Sequence, residues 1–101
     1  MAPYRINYTQ VVSQVHVLES QADQMRLQIS ALARMQQDCP TYWKGAAASA
    51  FLLKLDSLHA ELVRTQAQLF TLALTIQSCA DRIQQEDRAA QERATALSSG
   101  R

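Results

Sequence analysis

The side chains able to do chemistry are few, and their spacing does not assemble a catalyst. His16 and His59 are the only histidines. Asp56, Ser57 and His59 lie close in sequence, but neighbouring residues of a helix point to different sides and cannot form a nucleophile–base pair. Cys39 and Cys79 stand far apart, with neither CxxC nor CxxH spacing, so no zinc site is expected and no metal or other cofactor is implied. Asp81, Glu86, Asp87 and Glu92 alternate with Arg82, Arg88 and Arg93. That pattern describes a salt-bridged, solvated helix face. There is no glycine-rich phosphate loop. The residues predict a protein that is not an enzyme.

What must position these residues is helical. The chain has 101 residues, with two Gly and two Pro, too few breakers for a β fold with frequent turns. Val11, Val15, Leu18, Ala22, Met25, Ile29 and Leu32 recur in alternating steps of four and three, a heptad seam that faces a partner helix. The spacing predicts helix 1 over about residues 7–38, a turn at 39–45 and helix 2 over about 46–95, followed by a polar end, 95–101, that frays. Helix 1 is expected to stop before Pro40. Helix 2 repeats the rhythm through Phe51, Leu55, Leu58, Leu62, Thr65, Leu69, Leu72, Ile76, Cys79 and Ile83. So short a turn makes the helices antiparallel neighbours, and the longer helix 2 overhangs. The fold class expected is all-α: a single-domain helical hairpin.

Helix 2 also carries a second stripe, Leu52, His59, Val63, Ala67, Phe70 and Leu74. One hairpin cannot cover both stripes, and large exposed apolar patches mark interfaces. These six residues are therefore the expected dimer interface, completing a four-helix bundle. His59 is read as a packed interface histidine. His16 is expected beside the seam and partly exposed.

Composition narrows the partners. The formal net charge is +1, so no broad basic surface for nucleic acid is implied. No stretch approaches the length of a membrane helix. Lys54, Asp56, Glu61, Arg64 and Asp81 on helix 2 argue against stable insertion, at about 2.5–3.5 kcal/mol for each charge at a bilayer centre. The start, residues 1–10, has no apolar run behind a basic segment, so no cleavable signal peptide is expected.

The turn holds the only Trp, two residues before one of the two Gly. Gly45 permits backbone angles denied to other residues and allows close approach of a second helix. Trp43 either caps the end of the hairpin core or projects as a recognition surface. The stretch from Trp43 through Lys44, Gly45, Ala46, Ala47, Ala48, Ser49 and Ala50 to Phe51 resembles the signature of the WXG family of type VII secretion substrates. In that family a Trp-x-Gly turn joins two helices in a chain of about a hundred residues. Ala47 and Phe51 match the small residue and the aromatic that typically follow.

The resemblance implies a small protein exported as a folded dimer without a cleavable signal peptide, cytoplasmic before export. Trp43 and Gly45 would form half of a composite export surface. The implied partners are a second copy or a paralogous WXG-type chain, the secretion ATPase, and a larger effector that it escorts. The Tyr-x-x-x-Asp/Glu element of many such pairs is missing, since the tyrosines are Tyr4, Tyr8 and Tyr42. A partner chain supplies it, or another signal serves. Two other functions remain: a general coiled-coil assembly protein with a coincidental Trp-x-Gly, and a membrane-perturbing secreted effector.

The cysteines carry one further expectation. Cys39 at the turn and Cys79 far along helix 2 are about 50 Å apart at helical rise, beyond the roughly 7 Å between Cα atoms that a disulfide allows. Both thiols are expected free, Cys79 as a buried seam thiol. A head-to-tail dimer would bring Cys39 towards the neighbour's Cys79.

Overall fold

A computed structural model describes residues 6–99. Tyr4 and Gly100 lie outside that range. Two helices form an antiparallel hairpin: α1, Tyr8–Tyr42, and α2, Ala46–Ser99. The molecule is a rod of 85 × 17 × 16 Å.

Three of the four helix ends are fixed by local hydrogen bonding. Asn7 caps α1, its side-chain oxygen accepting from the Gln10 N–H at 3.2 Å, which satisfies a donor that the first turn leaves unpaired. At the other end the Trp43 N–H donates to the Cys39 carbonyl at 2.9 Å. Trp43 then turns to extended backbone, φ −143° and ψ 121°. Gly45 follows with φ 114°, and its carbonyl accepts from the Ser49 N–H at 3.0 Å to open α2.

Helix 1 does not stop before Pro40. It runs through the proline to Tyr42, so the turn shrinks from 39–45 to Trp43, Lys44 and Gly45. A proline costs most in mid-helix, where its missing N–H and its ring both disturb the preceding turn. Here it stands within the last turn and removes only the bond to the Gln36 carbonyl. Cys39 is fully buried and continues the heptad seam, which holds that turn against α2. The Thr41 hydroxyl, donating to the Asp38 carbonyl at 2.6 Å, adds a further local tie. At the far end α2 stays helical to Ser99 rather than fraying from Thr95.

The α1 seam is the expected one. Val15 and Ala22 are buried, and Val11, Leu18, Met25, Ile29 and Leu32 are half-buried. The α2 seam differs. Leu55, Leu62, Leu69 and Ile76 do face α1, but the alternate positions are Ala48, Leu52, His59, Gln66, Ala73 and Ala80. Ala48, Ala73 and Ala80 are buried, while Phe51, Leu58, Leu72, Cys79 and Ile83 are exposed. The helix is turned by about one residue from the expected face. The small side chains at Ala22, Ala73 and Ala80 let the two backbones close up, and Gln66 bridges the gap by donating to the Ala22 carbonyl at 2.8 Å. A face of larger residues would hold the helices apart, beyond that bond.

The overhang follows from the lengths, 35 against 54 residues. The Ile6 N–H meets the Asp87 carboxylate at 3.4 Å, and residues 91–98 beyond it are exposed throughout.

Candidate functional site: the turn and the outer face of helix 2

The turn displays its aromatic side chains. Because α1 ends at Tyr42 and the backbone then extends, Trp43 leaves the seam and lies against the first turns of α2. Its ring centroid is 5.3 Å from that of Phe51, with the planes tilted at 45°, a favourable aromatic separation. Neither ring is buried: Trp43 is 40% and Phe51 37% exposed. The four residues that the sequence assigns to the motif thus separate physically. Trp43 and Phe51 form one apolar patch at the tip, beside the exposed Tyr42. Gly45 makes the bend, and Ala47 is exposed on the first turn of α2.

Gly45 serves the turn through its backbone alone. A Cβ placed there would meet nothing within 4 Å, so no helix approaches closely at this point. Its requirement is φ 114°, a region costly for any residue with a side chain. Trp43, likewise, is not a plug in the end of the core. Cys39 and Ala48 fill that place.

The six residues expected at a dimer interface divide into two groups. Leu52 and His59 are half-buried and belong to the hairpin's own seam. The turn of α2 described above places them there. Val63, Ala67, Phe70 and Leu74 are exposed. Leu53, Asp56 and Ala60, also exposed, extend them. Leu53, Asp56, Ala60, Val63, Ala67, Phe70 and Leu74 follow steps of three and four, a second heptad seam on the exposed face of the hairpin.

The cysteines are both free. Cys79 is exposed rather than buried, since Ala80 takes the seam position. Cys39 is fully buried, which removes the approach to a neighbour's Cys79 expected from a head-to-tail pair.

A polar cluster at the open end was not foreseen from the sequence. The Tyr8 hydroxyl donates to Asp81 Oδ1 at 2.5 Å, and Gln77 Nε2 donates to both, at 3.1 Å to the hydroxyl and 3.0 Å to the carboxylate. The bond to Asp81, with some desolvation and the charge of that carboxylate, raises the Tyr8 pKa above 10.0. The signal was present: Tyr8 stands three residues before Val11, on the same heptad seam. The cluster ties the start of α1 to α2.

Asp56 accepts from Gln36 Nε2 at 3.4 Å, Ser57 is exposed, and His59 is packed in the seam. His16 is exposed and lies 3.3 Å from Glu19 Oε1. Among the described residues, no helix is long and apolar enough to cross a membrane.

No curated protein and no solved structure matches the chain. A family does: residues 3–97 match the proteins of 100 residues with WXG. The match spans both helices and the Trp43–Gly45 turn, and it makes the chain a member of the WXG100 family, small helical proteins, not an enzyme family, that are secreted through type VII systems.

Proposed function

We propose that this chain acts as a dimeric export partner or substrate of a type VII secretion system, with the Trp43 tip as the surface read during export. One observation carries the reading: the turn holds Trp43 and Phe51 together as a half-exposed aromatic patch at the end of the rod. The Trp43 ring packs on Phe51 yet keeps 40% of its surface in water, open to a partner. Here the core ends at Cys39 and Ala48, and the aromatic pair stands outside it.

The dimer completes a four-helix bundle by covering the outer seam of α2, and the partner is a second copy or a paralogous WXG-type chain. The secretion ATPase engages the tip, and a larger effector travels with the bundle. Export in this form needs no cleavable signal peptide. No catalytic step, nucleic acid or membrane insertion enters the mechanism.

The test is secretion of Trp43→Ala from a type VII-competent cell, with helicity and melting followed on the purified variant. The expected result is a large loss of secreted protein with a modest change in melting. The ring is already 40% exposed, so its removal forgoes only part of the 3–5 kcal/mol typical of a buried Trp→Ala change. Secretion equal to that of the parent would overturn the role given to the tip.

A further inference from the structure

The hairpin has a second exposed flank, on the side of α2 away from Val63 and Phe70. Gln14, Gln21, Gln28, Met35 and Tyr42 recur along one edge of the α1 seam, and Phe51, Leu58, Thr65, Leu72 and Cys79 along one edge of the α2 seam. Every residue of both columns is exposed. The Gln66 bond to the Ala22 carbonyl fixes the antiparallel register, and in that register the two columns border one groove. Along most of the groove the α1 wall is glutamine. Only towards the tip are both walls apolar. Met35 and Tyr42 stand on one side, Phe51 and Leu58 on the other, and the Trp43 ring lies 5.3 Å from that of Phe51. A shallow depression lined by Ala31, Arg34, Met35, Asp38 and Tyr42 runs along the α1 wall.

The length and the charge of this stretch define what fits it. From Met35 to Tyr42 it spans about 10 Å at helical rise. That is too short for a second hairpin lying along the rod, and it suits a short helix presenting two or three apolar side chains. Lys44 and Lys54 flank the α2 wall, and among the described residues neither makes an ion pair. On the α1 wall Arg34 and Asp38 offset each other, and Glu61 lies beyond Leu58, away from the tip. We infer that the groove docks a short amphipathic helix of a protein partner, its apolar residues between Met35, Tyr42, Phe51 and Leu58 and its acidic edge along Lys44 and Lys54. The inference rests on the reading of the tip as a surface met during export, and it names the chemistry of what meets it. Opposite charge along one wall sets the direction in which the helix lies and favours its encounter. Because α2 separates the groove from Val63 and Phe70, association through those residues leaves it open.

Trp43 is the only tryptophan, so its emission reports occupancy of the groove. The probes are two stapled helical peptides without aromatic residues, each with leucines at i, i+3 and i+7 and with either glutamates or lysines along one edge. Titrated into the full chain, the glutamate peptide should shift Trp43 emission to the blue and saturate, and the lysine peptide should bind about tenfold more weakly or less. Leu58→Gln should weaken the glutamate peptide by about tenfold, with helicity unchanged by circular dichroism. Lys54→Glu should reverse the preference between the peptides. Equal binding of the two peptides overturns the acidic edge. Binding indifferent to Leu58→Gln overturns the groove. No shift with either peptide overturns the site, and a shift with phosphatidylglycerol vesicles but neither peptide assigns the tip to a lipid surface instead. The export reading fails separately, by secretion of Trp43→Ala. Lost secretion without peptide binding leaves that reading standing and removes this one, whereas peptide binding with normal secretion keeps the groove as a docking site and removes its part in export.

Discussion

The clearest physical test concerns Leu72 and Ala73, neighbours whose places in the hairpin are the reverse of what their sizes suggest. Leu72 is 48% exposed and Ala73 is 0% exposed. Full burial of a leucine side chain is worth about 1.5–3 kcal/mol, so the half-burial of Leu72 is worth roughly 1 kcal/mol. Leu72→Ala should cost about that and leave no cavity between the helices. Ala73→Leu forces three extra heavy atoms into a closed seam. Overpacking of this kind costs about 1–3 kcal/mol, and each kcal/mol lowers the melting temperature of a domain this small by about 4–8 °C. The assay is urea and thermal unfolding followed by helical circular dichroism. Repeating it over a range of protein concentrations separates hairpin stability from any contribution of association. The more conservative truncation should thus be the milder change, and the insertion of an apolar residue the harsher one. If Leu72→Ala loses 2–5 kcal/mol, as a buried leucine would, while Ala73→Leu is neutral, then α2 presents its larger residues to α1 and the seam assigned here is wrong.

Gly45→Ala should destabilise the chain by about 1–3 kcal/mol through backbone strain at φ 114°. Space is not the cause, since a Cβ would meet nothing there, and unfolding midpoints check it. The Tyr8 clasp should respond to alkaline pH. Its pKa is raised in the fold by the bond to Asp81, so its contribution is fully present below pH 10.0, the ordinary tyrosine value, and is lost as pH rises through the raised value. Hydrogen exchange at the start of α1 should therefore lose protection above that pH, beyond the general rise in intrinsic exchange, and Tyr8→Phe should abolish that extra pH dependence. A thiol reagent should label Cys79 rapidly in the native protein and Cys39 only on unfolding, because only Cys79 is exposed. Equal labelling rates would contradict the burial of Cys39 in the seam.

The sequence by itself determined the helical hairpin, the face that α1 turns inward, and the membership signalled by Trp43, Gly45, Ala47 and Phe51. These depend on local quantities: spacing along one helix, a proline and a glycine near the turn, and a motif a few residues long. The tertiary structure alone decided which face α2 turns inward. Two adjacent stripes of α2 share Leu55, Leu62, Leu69 and Ile76, and hydrophobicity favours the one that adds Phe51, Leu58 and Leu72. The hairpin uses the other, adding Ala48, Ala73 and Ala80. Small residues let two backbones approach, with Gln66 bonded to the Ala22 carbonyl across the gap, and that gain belongs to a pair of helices and has no trace in the period of one. The same choice placed Leu52 and His59 inside the hairpin and Cys79 outside it. The continuation of α1 through Pro40 has a similar origin. Local rules end the helix there, but burial of Cys39 against α2 holds the last turn in place, and the loss of a single hydrogen bond near a helix end is small enough for packing to outweigh.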